Sequence, residues 1–116
     1  MQNISLTLKK ENEIIFKSEV KGILTNNVLS FIHDNMKHQI DLDKQIFLRE
    51  NDEYSFLLNI LEKKCEIRLK KEENILQVNV NYAIILQNKN EIEISYSIET
   101  QDEMMHLKIV LLGGKQ

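Results

Sequence analysis

The chain contains no proline and only three glycines, Gly22, Gly113 and Gly114. Its turns must therefore be built mostly by Asn and Asp, which tolerate left-handed backbone and bond to their own main chain. A single cysteine, Cys65, excludes an internal disulfide framework and suits a reducing compartment. No apolar run approaches the ~18 residues of a membrane-spanning helix. The opening MQNISLTLKK lacks the basic region and apolar run of an export signal, so the expected location is cytoplasmic. Positive charge is also short. The net charge is −3 and the pI about 5.6, which argues against a nucleic-acid partner. G-x-S-x-G, G-x-G-x-x-G and the phosphate-cradling P-loop are all missing. The expectation is a protein that is not an enzyme and carries no cofactor.

What is present is period-two hydrophobicity. With 116 residues, 42% hydrophobic and 28% charged, the chain has the composition and size of one globular domain, 1–116. The clearest signal lies in 91–112, EIEISYSIETQDEMMHLKIVLL. Ile92, Ile94, Tyr96 and Ile98 alternate with Glu93, Ser95, Ser97 and Glu99, and after a polar break Met105, Leu107, Ile109 and Leu111 resume. Successive side chains of a strand point to opposite faces, so this reads as a hairpin with one apolar and one wet face.

The same alternation runs through the rest. Ile4, Leu6 and Leu8 form a first strand. Ile14, Phe16, Ser18, Val20 and Gly22 share one parity of a long second strand, and a glycine there marks a bend or a close backbone approach. A strand at 28–33 is apolar on both faces. Ile40, Leu42, Ile46 and Leu48 oppose Asp41, Asp43, Gln45 and Arg49. Leu76, Val78, Val80, Tyr82, Ile84 and Leu86 hold one parity for six members. Only 54–70 is ambiguous. Tyr54, Phe56, Leu58 and Ile60, then Cys65, Ile67 and Leu69, fit two strands. Tyr54, Leu57, Leu58, Leu61, Cys65 and Leu69 also form a helical stripe with Asp52 as N-cap. Two strands are favoured because every neighbouring segment has period two.

Eight or nine strands joined by short loops predict an all-β fold with little or no helix, an antiparallel meander closed into a barrel or split into a two-sheet sandwich. An outer-membrane barrel is disfavoured, since the polar parity carries many Lys and Glu, too bulky for so small a lumen.

The layout ISLTLKK, then FKSEVKGILT, LSFIHD and DKQIFLRE, closing with ILQVNVNYAIIL, EIEISYSIET and MMHLKIVLL, resembles the YwiB-like family of small bacterial proteins, with Tyr96 at the family's I-x-Y position. The resemblance spans nearly the whole chain and implies a single calycin-like (lipocalin-type) β-barrel. The chain departs from the family's pattern at Glu50-Asn51-Asp52 and at Lys71-Glu72-Glu73-Asn74, where the family tends to carry glycine. The family has no established activity, so the resemblance bears on fold rather than function.

Candidate chemistry is sparse. His33, Asp34, His38, Asp41 and Asp43 are ligand types for zinc or manganese, but they span a polar loop and a wet strand face with no third ligand set by spacing, so no metal is expected. Cys65 lies in an apolar row and reads as a small buried hydrophobe, and His106 reads as surface. Tyr54, Tyr82 and Tyr96 all fall on the apolar parity of their strands and are expected inside, where a phenol needs a partner. With Arg49 near the rim, they are the candidate lining for a small apolar or amphipathic ligand. The alternative is an interaction protein, a homodimer or a protein's partner, working through an outer surface bearing Ile85, Val110, Leu112 and the two-faced strand 28–33.

Overall fold

The computed structural model describes residues 1–114. The alternating segments become ten antiparallel strands: β1 (Gln2–Lys10), β2 (Glu13–Thr25), β3 (Val28–His33), β4 (Met36–Asp41), β5 (Ile46–Glu50), β6 (Tyr54–Asn59), β7 (Lys64–Leu69), β8 (Asn74–Gln87), β9 (Glu91–Ile98) and β10 (Gln101–Gly114). Each pairs with its sequence neighbour and β1 closes on β10, making a closed meander barrel with no helix among the described residues. The fold is thus the all-β barrel expected, with one or two more strands. Region 54–70 is β6 and β7, paired Leu58 to Cys65 and Tyr54 to Leu69. No helix of the described residues is long and apolar enough to cross a membrane.

The turns follow from the missing glycine and proline. Asn26-Asn27 and Asp34-Asn35 carry consecutive positive φ angles of 54° and 63°, then 55° and 63°. Two such residues in a row make the type I′ hairpin turn, whose twist matches the flanking strands. Elsewhere Glu11, Gln45, Lys63 and Glu73 hold the left-handed position at φ 51° to 58°, the place in longer hairpin loops where glycine is usual.

Two long strands turn the corners. β2 pairs β1 along most of its length but β3 only from Gly22 to Thr25. β8 pairs β7 from Asn74 to Asn79 and β9 from Val80 onward. The barrel is therefore two sheets, β8–β9–β10–β1–β2 and β2–β3–β4–β5–β6–β7–β8, joined through the bends of β2 and β8. At the β2 bend a Cβ on Gly22 would sit 3.0 Å from the Ser30 carbonyl oxygen and 3.2 Å from Ile4 Cδ1. The close approach expected at this glycine is thus present.

At the β8 bend the parity changes. A bulge at Asn81 lets Val80 pair Ile98 but Ala83 pair Tyr96 and Ile85 pair Ile94. Val78 and Val80 face inward before it, and Ala83 and Ile85 after it. Tyr82 is consequently outside, 45% exposed, with Leu86 exposed beyond it. The expectation of three inward tyrosines fails at Tyr82, and that of an outward Ile85 fails with it. One inserted residue reverses every later side chain of a strand.

A second parity error lies in β5. The turn residue Gln45, at φ 58°, re-phases the chain, so Phe47 and Arg49 point inward instead of Ile46 and Leu48. Phe47 pairs Ile40 and Leu58, both fully buried. The core is thickest around Ile4, Leu6, Leu29, Ile40, Leu58, Ile92, Ile94 and Ile109. Cys65 is fully buried there, and burial pushes its thiol up to about 11, consistent with a small hydrophobe.

Candidate functional site

The packed interior ends in an aromatic layer. The Phe47 ring lies 6.2 Å from Phe56 and 6.5 Å from Tyr96, and Phe56 lies 5.6 Å from Tyr96. At this layer and beyond it a pocket of about 320 Å³ is lined by Leu8, Phe16, His33, Asp34, Met36, His38, Phe47, Arg49, Tyr54, Tyr96 and Leu107. That volume is at the small end of the ~300–1,000 Å³ usual for small-molecule sites. All of these wall residues but the turn residue Asp34 are delivered by strand alternation. Leu8 follows Ile4 and Leu6 on β1, Leu107 precedes Ile109 on β10, and Tyr96 follows Ile92 and Ile94 on β9. The tight Asp34-Asn35 turn starts β4 at once, which sends His38 inward beside Ile40.

Among the described residues, Arg49 is the one permanent cation on this wall. It pairs across strands with His38 on one side and Phe56 on the other. Its Cζ stands 4.9 Å from the Phe56 ring centroid, a cation–π contact. Its buried Nε has no acceptor among the described residues, and no carboxylate there forms an ion pair with it. The adjacent Glu50 faces the other way, 3.1 Å from Lys70.

Burial pushes the Tyr96 phenol up, while the Arg49 guanidinium, through its charge and a hydrogen bond, partly holds it down. His38 stacks on Phe31 at 4.7 Å with the rings 9° apart. Its desolvation, reinforced by the charge on Arg49, lowers it to about 4, so it is neutral near physiological pH. Among the described residues His38 Nδ1, like Arg49 Nε, is buried with no hydrogen-bond partner. At the rim His33 stacks on Phe16 at 4.5 Å.

Of the sequence candidates, the fold brings Tyr54, Tyr96 and Arg49 into one pocket and leaves Tyr82 on the outer surface. Sequence reasoning misses His33 and His38, which fall in a segment that reads as a polar loop, and Phe47, which falls on the polar parity of its strand. A hairpin with inward His38 is encoded in the Asp34-Asn35 pair, the type of dipeptide that favours left-handed turns. The fold divides the sequence cluster of candidate metal ligands: His33, Asp34 and His38 reach the pocket, and Asp41 and Asp43 stay with their turn. Asp41 accepts from the backbone N–H groups of Asp43 and Lys44, and Asp43 accepts from Asn27 Nδ2 at 3.0 Å. No group of three metal-ligating side chains occurs among the described residues. His106 is on the outer face, 2.8 Å from Ser95 Oγ. A larger hollow of about 610 Å³ lies on the outside between Ile32 and Lys70, where Lys70 pairs with Glu50 and donates to the Asn51 carbonyl.

No family model, curated protein or solved structure matches the chain.

Proposed function

We propose that the protein is a binding module that takes a small amphipathic molecule in the open end of its barrel. The observation carrying this reading is the pocket itself. Apolar walls from Leu8, Phe16, Phe47 and Leu107 surround a few convergent polar groups, Arg49, Tyr54, Tyr96 and His38, two of which hold buried nitrogens with no partner among the described residues. Buried polar groups are nearly always satisfied, and exceptions concentrate at functional sites. The closed meander accords with the calycin-like barrel implied by the YwiB-like resemblance, which we retain as the family reading. The cytoplasmic reading rests on the lone buried thiol and on the charges, including Lys17, Glu19, Glu93 and Lys108, borne by wet faces. Lipid would penalise those charges.

The chain has no tryptophan, so Met36→Trp places a single fluorophore at the pocket. Titration with apolar and amphipathic compounds should shift its emission saturably, and native mass spectrometry should find a bound small molecule at unit stoichiometry. A probe indifferent to every compound, with only the bare mass recorded, would sink the reading.

A second reading, a homodimer formed through the outer surface, has its own support. The Asn81 bulge turns Tyr82 and Leu86 outward on the part of β8 whose edge away from β9 carries no ladder among the described residues. An open edge flanked by apolar side chains invites strand addition. Light scattering over a wide concentration range separates the readings, because a strict monomer excludes this one.

A further inference from the structure

Inside its rim, where Asp34 stands, the pocket's polar equipment is one-sided. Arg49 brings a permanent positive charge, the two tyrosines bring hydroxyl donors, and neutral His38 adds no competing charge. No carboxylate among the described residues pairs with Arg49, and Glu50, its nearest acidic neighbour in sequence, is engaged with Lys70. A guanidinium held against Phe56 and His38 in a partly desolvated wall is an expensive arrangement unless an anion completes it.

We propose that the ligand is a monocarboxylate: its carboxylate is held by Arg49 with help from Tyr96 and Tyr54, and its compact apolar body lies against Leu8, Phe16 and Leu107. This rests on the binding reading above and names the ligand's chemical class. Singly charged carboxylate fits better than phosphate for two reasons on the wall itself. Among the described residues Arg49 is its only Lys or Arg, and Asp34 stands at the rim, where it repels a dianion more strongly than a monoanion. Phosphate sites commonly draw on several cations or on backbone N–H groups at a helix N-terminus, and the described residues contain no helix.

The test uses a matched series with one tail: octanoate, octanol, octylamine and octyl phosphate, titrated by calorimetry into the intact protein near neutral pH. Methyl NMR at Leu8, Met36 and Leu107 reports where each binds. Octanoate should bind about tenfold or more tighter than octanol, the worth of one charge-assisted hydrogen bond, with octylamine weakest. Arg49→Met should erase the octanoate preference over octanol, and Arg49→Lys should restore part of it, since a point charge replaces the fork. Equal binding of octanoate and octanol in the pocket overturns the carboxylate proposal and leaves the binding module standing. Tighter octyl phosphate overturns it in favour of a phosphate. No pocket shift with any member overturns both. A urea midpoint for each variant shows that loss of preference does not come from loss of fold.

Discussion

Replacing Arg49 by methionine should make the protein more stable. The magnitude follows from the side chain's surroundings. Arg49 Nε is shielded from solvent and has no acceptor among the described residues. Leaving a buried donor unsatisfied costs about 1–3 kcal/mol. Against this stands the contact with Phe56 at 4.9 Å, which contributes about 0.5–2 kcal/mol. Its hydrogen bond to Tyr96 adds about 1 kcal/mol net. Methionine also removes the desolvation of the remaining guanidinium, fills a similar length of pocket with a flexible apolar chain and makes favourable sulfur–aromatic contacts of about 0.3–1.5 kcal/mol with the Phe47–Phe56 layer. The balance is a gain of about 1 kcal/mol. For a chain of this size that is a rise of about 4 °C in Tm. Urea denaturation is the assay, with the midpoint raised and the slope unchanged, so that the gain is read as native-state stability. Arg49→Lys should not reproduce the gain, because its charge stays desolvated. A loss of 1 kcal/mol or more in Arg49→Met would show that the guanidinium is a structural strut, and the argument for a ligand-seeking cation would collapse. Stabilisation accompanied by lost ligand affinity is the usual sign of a functional residue kept at a cost to the fold.

Four further outcomes follow from the same geometry. His38 is lowered from 6.5 to about 4 in the folded protein; the unfolded chain therefore binds the proton first, and stability falls as pH drops from about 6.5 to about 4, by about 3 kcal/mol in total. His38→Phe keeps the stack on Phe31 and should flatten that acid limb in urea titrations at stepped pH; an unchanged limb would assign it to other groups. Gly22→Ala should destabilise by about 1–3 kcal/mol, because its Cβ would meet the Ser30 carbonyl oxygen at 3.0 Å and backbone cannot step aside; a neutral variant would mean that the β2 bend has slack. Lys63→Gly, at φ 55°, should stabilise by about 0.5 kcal/mol, since relief of the left-handed penalty slightly exceeds the added unfolded-state entropy. Tyr82→Ser should leave both stability, to within about 0.5 kcal/mol, and octanoate binding unchanged, whereas Tyr96→Phe should weaken octanoate; equal effects of the two would contradict the outward placement of Tyr82.

Period two alone was enough for an all-β chain, for the hairpin of β9 and β10, and for the inward rows Ile4-Leu6-Leu8, Ile92-Ile94-Tyr96-Ile98 and Leu107-Ile109. These hold because side-chain alternation is a local property of extended backbone, and burying one face requires nothing beyond it. The absence of proline and the scarcity of glycine likewise pointed to Asn and Asp turns, and the I′ pairs Asn26-Asn27 and Asp34-Asn35 are such turns. Even Tyr54 and Tyr96 could be placed inside from parity. What alternation does not carry is phase across an irregularity. The Asn81 bulge has no residue signature of its own, since Asn81 continues an ordinary Gln77-Asn79-Asn81 row; it arises where β8 must leave β7 and bend onto β9. It sent Tyr82 outward and Ile85 inward. The Gln45 turn did the same for β5, bringing Phe47 and Arg49 into the barrel. The pocket takes Phe47 and Arg49 from the second of these phase changes, and the closure of β1 on β10 sets Leu8 and Leu107 into the same wall. Closure and bends are settled by packing between strands far apart in the chain, and for that reason what surrounds Arg49, the site's central residue, was decided by the tertiary structure.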